Sequence, residues 1–194
     1  MKKLLILLMF LASPAAAQKL SLNAISSYLN GLQTAKGAFT QINGDGSIST
    51  GTMYLKRPGR LRFEYAPPTK SLVVAGGGQV AVFEAKSDEP TRYPLSQTPL
   101  KIILERNVNL GQRNMVTSHK SDGTKTIVTA QDPRRPDLGS LQMVFTANPV
   151  QLRQWIVDDN SGTVTTVILG GWTEGVRVPN KLFNIQLEMS KWNP

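Results

Sequence analysis

The sequence predicts an α+β domain that is mainly β: one curved antiparallel sheet with an N-terminal helix and one or two short central helices. Most of the chain alternates apolar and polar residues, which is the two-residue period of a half-buried strand. Turn-forming residues interrupt this alternation at roughly eight- to twelve-residue spacing, as in a sheet that curls or closes. Apolar residues at helical spacing occur near the N-terminus. No internal repeat or linker divides the chain, so we expect one domain, residues 18–194.

The first residues carry the pattern of a cleavable export signal. Two lysines precede an apolar run, residues 4–12, and small residues with A-x-A spacing end at Ala17. The run is too short to span a bilayer comfortably as a permanent helix. We therefore predict a signal peptide over residues 1–17 and a mature chain that begins at Gln18, exported to the periplasm if the source is bacterial. A membrane anchor is the alternative.

The predicted N-terminal helix follows this signal. Gly37 lies past the expected end of the helix, and alternation takes over at residue 38, where we expect the first strand. The apolar stripe of the helix consists of Leu22, Ile25, Leu29 and Leu32.

Hairpins with recognisable turns make up most of the remaining chain. The stretch GTMYLKRPGRLRFEY, residues 51–65, predicts two strands joined by a tight turn at Pro58 and Gly59. The glycines at 76–78 predict the turn of a second hairpin. A meander then continues to a closing strand over residues 181–189.

One segment, residues 93–110, shows neither strand alternation nor a simple turn pattern. Ser96 or Thr98 can cap a short helix there, with Pro99 in its first turn. The apolar stripe of that helix would consist of Leu100, Ile103 and Leu104. A short apolar helix within a meander must bury its stripe, so we expect it to lie across one mouth or face of the sheet.

The composition excludes several function classes. There is no cysteine, which excludes disulfides, thiol chemistry and thiolate metal sites. The net charge of +9 raises nucleic acid as a partner, but the basic residues are scattered and do not interleave with aromatic residues. The densest basic cluster, Arg134 and Arg135 between two prolines, is typical of a solvated loop tip. A membrane surface or an acidic protein partner therefore fits the charge better than nucleic acid.

No residue pattern supports catalysis. His119 is the only histidine, and the sequence around it shows no catalytic signature, which favours a solvated side chain at a strand end. A single histidine without cysteine also argues against a metal site. Asp158 and Asp159 precede a turn, and the glycines at 76–78 suit a hairpin better than a phosphate-binding loop. We expect no enzyme, no metal and no cofactor; an acyl-ester hydrolase, the remaining enzymatic alternative, would have to use His119.

Several motifs occur in a recognisable order and spacing. They are AFTQ from residue 38, GTMYLKRPGRLRFEY from residue 51, PPTKSLVVAGGGQVAVFE from residue 67 and TPLKIILE from residue 98. This set resembles the outer-membrane lipoprotein carrier proteins of the LolA type. LQMVFTANPVQLRQWIVDDNSGTVTTVILG and VPNKLF extend the similarity over essentially the whole mature chain. The resemblance implies an unclosed antiparallel half-barrel over residues 18–194, with helices as a lid.

The resemblance also implies a function. Such a protein would be a periplasmic chaperone of a Gram-negative bacterium that shields lipoprotein acyl chains in a hydrophobic cavity and ferries them from the inner to the outer membrane. Its partners would be acylated lipoproteins, an inner-membrane ABC-type lipoprotein-releasing complex and, where present, an outer-membrane receptor; we expect a monomer that binds no nucleic acid. The alternative is a periplasmic module with the same half-barrel that senses lipids or lipoproteins.

Ten residues are candidates for the acyl-chain cavity, although ordinary core packing is the alternative for the same side chains. They are Phe39, Met53, Leu55, Leu61, Phe63, Tyr65, Val73, Leu100, Ile103 and Leu104.

Arg57 ends an otherwise apolar strand face that includes Met53 and Leu55. The resemblance assigns it the role of a lid latch that hydrogen-bonds to backbone carbonyls of the lid, residues 98–105. A guanidinium carries donors and no acceptor, so on an apolar face it must find acceptors or pay a desolvation penalty. The alternative is that Arg57 caps a strand end and faces water.

Overall fold

The computed structural model describes residues 19–192; the predicted signal peptide, residues 1–17, lies outside them. Three α-helices are described: α1 (Leu22–Gly31), α2 (Lys101–Leu104) and α3 (Ile185–Met189). The strands are β1 (Thr34–Ile42), β2 (Ile48–Lys56), β3 (Arg60–Tyr65), β4 (Ser71–Gly76), β5 (Gln79–Glu84), β6 (Thr91–Pro94), β7 (Val116–Ser121), β8 (Lys125–Gln131), β9 (Ser140–Thr146), β10 (Gln151–Asp158) and β11 (Val164–Glu174).

All of these strands belong to one antiparallel sheet. Its order is β6-β5-β4-β3-β2-β1-β11-β10-β9-β8-β7. Because β6 and β7 are the two outer strands, the sheet is unclosed, which confirms the predicted mainly β half-barrel. Neighbouring strands in the sequence are joined by hairpins, apart from the long connection between β6 and β7, which carries α2.

Helix α1 packs its apolar stripe against the concave face of the sheet. Ser21 caps the helix by accepting a hydrogen bond from the Ala24 N–H at 3.1 Å. The helix ends at Gly31, and β1 begins at Thr34, four residues before the predicted start. Gly37 therefore lies inside β1. A Cβ at this position would stand 2.3 Å from the Trp172 Cβ, so a glycine is required by the close approach of β11.

The register of β2 to β5 decides which side chains face the concave side. Met53 pairs with Phe63, and Phe63 pairs with Val73, so the three side chains share one face. The opposite, convex face of β4 and β5 is also apolar, and it forms a second cluster with the C-terminal segment. The buried side chains of this second cluster are Leu72, Val74, Ala81, Phe83, Val178 and Phe183.

The closing strand predicted over residues 181–189 is wrong, because this segment is helical. A 3-10 turn, Asn180–Phe183, leads into α3, and the Asn184 side chain caps α3 by accepting from the Leu187 N–H at 3.0 Å. Arg62, on the convex face of β3, donates to the Leu182 carbonyl at 2.9 Å and so ties this segment to the sheet.

The segment that precedes α2 differs from the sequence prediction in two ways. Strand β6 was not predicted, and it exists because it pairs with β5. Helix α2 starts after Leu100 without a side-chain cap, so the predicted capping by Ser96 or Thr98 is wrong. Thr98 instead donates its hydroxyl to the Leu95 carbonyl at 3.0 Å, within a 3-10 turn.

Candidate functional site

The concave surface has one end that is solidly packed, here named the closed end. There, α1 and α2 fill the curve of the sheet. Six of the ten predicted cavity residues are at most 3% exposed: Phe39, Met53, Leu55, Leu61, Ile103 and Leu104. Met53, Leu55 and Leu61 lie on the sheet at this end, Ile103 and Leu104 belong to the lid, and Phe39 packs against Phe63 and Tyr65 nearer the other end. Contact of these six side chains with an acyl chain stays a prediction.

The other end of the concave surface, named the open end, contains a cavity of about 480 Å³. Four of the predicted residues line it: Phe63, Tyr65, Val73 and Leu100. Its apolar lining also includes residues that the sequence did not single out: Val82, Trp155, Val157 and Val167. Trp155 and Val157 lie two residues apart in β10 and therefore on the same face of the strand. This two-residue spacing was the only sequence signal for them.

Uncharged polar side chains form one wall of the mouth of this cavity. The Tyr65 hydroxyl donates to the Gln41 Oε1 at 2.7 Å, and the Gln41 Nε2 donates to the Asn43 Oδ1 at 2.6 Å. Burial raises the pKa of Tyr65 to about 12, so the hydroxyl keeps its proton at neutral pH. The hydroxyl of Ser49 on β2 lies 3.4 Å from the hydroxyl of Thr69, in the loop between β3 and β4.

The turn between β2 and β3 holds the end of the lid. The Gly59 N–H donates to the Leu104 carbonyl at 2.9 Å, and the Arg57 Nη2 donates to the Glu105 carbonyl. These carbonyls are free because a helix leaves its last acceptors without intrahelical partners. Arg57 is 5% exposed, so the alternative of a water-facing side chain does not hold.

The Arg57 guanidinium is only partly satisfied in this closed arrangement. Its Nε and Nη1 atoms are buried without a hydrogen-bond partner in the described part of the chain. Burial lowers the pKa of Arg57, and the Glu105 carboxylate opposes this shift. A buried donor without an acceptor costs free energy, so the closed lid carries a built-in penalty.

A second contact holds the lid to the opposite arm of the sheet. The Lys101 Nζ lies 2.8 Å from the Asp132 Oδ2, at the end of β8, and 3.3 Å from the Glu105 Oε1. The hydrogen bond from Lys101 lowers the pKa of Asp132, and the same bond raises the pKa of Lys101. Both side chains are partly exposed, so this ion pair is a weak contact.

The chain beyond the lid is anchored to α1. Asn30 exchanges two hydrogen bonds with Val108, at 2.9 and 2.8 Å, and the Leu110 N–H donates to the Ser26 hydroxyl at 3.0 Å. Helix α1 is itself tied to β11, because the Tyr28 hydroxyl donates to the Glu174 carboxylate at 2.7 Å. These hydrogen bonds fix the chain on both sides of residue 109 to α1, whereas the lid, residues 98–105, is held by its buried apolar side chains, the bonds from the turn between β2 and β3, and the ion pair of Lys101.

The structure offers no arrangement for the enzymatic alternative within residues 19–192. The His119 Nε2 lies 2.8 Å from the Leu20 carbonyl, on a half-buried strand position rather than a solvated end. In that described range, no group of three or more histidine, aspartate or glutamate residues is placed to hold a metal ion. Within it there is also no helix with the length and hydropathy that a bilayer crossing requires.

Fold and site together define a structural class: an unclosed antiparallel half-barrel with an apolar cavity at one end of its concave face and a short helix as part of the cover. The family model described as "Outer membrane lipoprotein carrier protein LolA" matches residues 30–186. The protein therefore belongs to the LolA family of outer membrane lipoprotein carrier proteins.

Individual proteins agree with this assignment. An outer-membrane lipoprotein carrier protein from Azotobacter vinelandii is 26% identical over 171 residues, which cover 84% of this chain and 82% of that protein. A protein of the same description from Legionella pneumophila (strain Corby) is 33% identical over 95 residues, and this match spans about half of each protein, 47%. A crystallised domain from Vibrio parahaemolyticus, described provisionally as an outer membrane lipoprotein-sorting protein, shares the fold with a TM-score of 0.52 at 7% identity, over 87% of this chain and 97% of that domain.

Proposed function

We propose that this protein is a periplasmic carrier that shields the acyl chains of lipoproteins and moves them from the inner to the outer membrane. The observation that carries the proposal is the apolar cavity of about 480 Å³ on the concave face, beside the short helix α2. Membership in the LolA family supports the same role. In this role the protein binds and releases its cargo without covalent chemistry.

The lid can exchange its own contacts for contacts with lipid. The Arg57 bond to the Glu105 carbonyl is charge-assisted, and such a bond contributes about 1.5–3 kcal/mol. Removing one methylene from water contributes about 0.8 kcal/mol. Opening also exposes the buried side chains of Ile102, Ile103 and Leu104, each of which contributes about 1.5–3 kcal/mol to closure. Burial of roughly 8–15 methylenes therefore offsets the bond and these side chains together, and the acyl chains of one lipoprotein supply that many. Cargo that binds the open state shifts the population of the lid toward opening.

Arg57 acts as the latch in this proposal. It favours the closed, empty state, so it opposes cargo binding and assists cargo release. Its two buried nitrogens without partners keep the closed state from becoming too stable. The closed end would then become accessible to lipid only when the lid, which includes Ile103 and Leu104, moves away.

Release and delivery require membrane partners. We propose that an inner-membrane ABC-type complex loads the carrier and that an outer-membrane receptor, where present, accepts the lipoprotein. The net charge of the chain, +9, favours contact with acidic surfaces on such partners or with anionic headgroups near them.

Incubation of the purified protein with spheroplasts tests the proposal. We expect acylated lipoproteins to appear in the supernatant in complex with the protein. A Val73→Trp variant, which fills the open end, is the matched control and should extract much less. Supernatant free of lipoproteins with the wild-type protein would contradict the carrier role and favour the sensing alternative.

A further inference from the structure

The cavity differs in charge from the rest of the molecule. The chain has 22 lysine and arginine residues against 13 aspartate and glutamate residues. Yet among the described residues that line the cavity there is no lysine or arginine, and the single charged side chain is the carboxylate of Glu84. A cavity that received anionic headgroups would be expected to offer at least one cation.

Glu84 stands at the mouth with its charge uncompensated. It is the last residue of β5 and pairs with Ser71 of β4, so it shares the inward face with Val82. It is exposed, and within residues 19–192 it forms no ion pair. A polar head that stays at the exposed part of the lining would come close to this carboxylate.

Another part of the lining offers hydrogen bonds without charge. Tyr65, Gln41 and Asn43 form a continuous chain of donors and acceptors, and Asn43 continues it to the Ser47 hydroxyl at 2.8 Å. Amide side chains retain further donors and acceptors beyond those used in this chain. Such a wall matches the ester and amide carbonyls that join acyl chains to an uncharged head.

A phosphate at the same place would be unfavourable for two reasons. It would find no cationic partner in the lining, and it would approach a carboxylate of like charge. We propose that the cavity selects acyl chains that are linked through esters or amides to an uncharged head, and that it discriminates against anionic phospholipids. This inference rests on the proposed function, because it assumes that the cavity binds acyl chains.

The selectivity has a clear use for a basic carrier near a membrane. A net charge of +9 draws the outer surface toward anionic lipids. If the cavity accepted those lipids, the abundant membrane components would fill it. Because the lining has one carboxylate and no cation, anionic lipids are attracted to the outer surface of the protein but not into the cavity. The cavity therefore stays available for acylated protein.

Competition between soluble short-chain lipids tests this proposal. The neutral fluorophore N-phenylnaphthylamine serves as the probe in the cavity. The competitors each carry two octanoyl chains: dioctanoylglycerol, dioctanoylphosphatidylglycerol, and an N-acetylated dioctanoylglyceryl-cysteine peptide without charge. We expect both neutral competitors to displace the probe at concentrations about fivefold lower than the anionic one. The tighter of the two neutral competitors identifies the source, a free diacylglycerol or a lipidated cysteine.

Charge variants sharpen the test. Glu84→Gln should reduce the discrimination, and Glu84→Lys should abolish or reverse it. Asp122→Asn, in the turn between β7 and β8 and outside the cavity, makes the same change in net charge as Glu84→Gln and should have no effect. Equal affinity for neutral and anionic competitors, unchanged in Glu84→Lys, would overturn the selectivity and leave the carrier role standing. Failure of every lipid to displace the probe would instead count against the proposed function itself.

Discussion

The two ends of the concave surface are built from the same kinds of residues and differ in what covers them. At the closed end, Met53 and Leu55 are at most 2% exposed, because α1 and the lid lie directly on them. At the open end, Val73 and Tyr65, on the same sheet face, border a cavity of about 480 Å³. Binding space therefore depends less on which side chains the sheet presents than on how far the helices extend over it.

Shortening one leucine at each end to alanine should reveal the largest difference between the two ends. Leu55→Ala removes a packed side chain at the closed end, so we expect a loss of about 2–5 kcal/mol in the free energy of unfolding. Leu100→Ala removes the same atoms from a side chain that lines the cavity, and the loss should be clearly smaller. Urea unfolding followed by circular dichroism measures both. Equal losses would show that the open end is packed as tightly as the closed end.

The latch predicts an effect on transfer rather than on folding. In Arg57→Leu, the bond to the Glu105 carbonyl and the two unpartnered nitrogens are removed together, so the free energy of unfolding should fall by less than the about 1.5–3 kcal/mol of a charge-assisted bond. Cargo should be released to an acceptor about tenfold more slowly, because about 1.4 kcal/mol or more no longer favours closure. Transfer of a fluorescent lipopeptide to acceptor vesicles measures the rate.

Arg62→Leu is the matched control for the latch. Arg62 is an equally buried arginine, but it joins the convex face to the C-terminal segment through Leu182 and Glu188. This variant should unfold more easily and transfer cargo at the normal rate. A latch variant that transfers cargo as fast as the wild type would remove the role proposed for Arg57.

A large side chain introduced at the open end should weaken lipid binding, whereas one introduced at the closed end should lower the free energy of unfolding. Val73→Trp places the indole in the existing cavity, so we expect weaker lipid binding with stability within about 1 kcal/mol of the wild type. Ala75→Trp, two residues along the same strand face and 1% exposed, overfills the closed end and should cost about 1–3 kcal/mol. Probe binding and urea unfolding on the same preparations distinguish the two results. Unimpaired lipid binding by folded Val73→Trp would locate the binding space elsewhere.

The ion pair between Lys101 and Asp132 should give the smallest effect. Asp132→Asn should loosen the lid by about 0.2–1 kcal/mol, which amide hydrogen exchange of residues 101–105 can detect. The pKa of Asp132 is lowered in the folded protein, so its contribution is present at neutral pH and is lost as the pH falls below about 4. Exchange rates that are identical in wild type and variant at neutral pH would exclude a role for this contact.

The sequence was sufficient for features that local chemistry decides. The stripe of α1 follows from spacing, and the hairpin between β4 and β5 follows from glycines, of which Gly77 and Gly78 have positive φ. It was insufficient for β6, a four-residue strand of exposed residues that exists only through pairing with β5. It also failed for α3, where the convex apolar face and the Asn184 cap favour a helix over the expected strand.

The sequence could not show which inward-facing side chains are buried in the core and which line the cavity, and the reason is physical. Val73 and Ala75 are successive inward positions of one strand, yet the first lines open space and the second is buried. The distinction depends on the extent of α1 and the lid, which are distant in the sequence. Alternation identifies the face of a strand, but it carries no information about what lies opposite that face.

Bound lipid should displace the lid while the rest of the cover stays in place. Because the chain has no cysteine, spin labels can be introduced at chosen positions without removing native thiols. One pair joins the partly exposed Glu105, inside the lid, to exposed Lys120 on β7, and the control pair joins exposed Ser27 on α1 to the same Lys120. Electron–electron double resonance should show that saturating lipopeptide lengthens and broadens the first distance and leaves the second unchanged. An unchanged first distance with lipopeptide demonstrably bound would contradict the account.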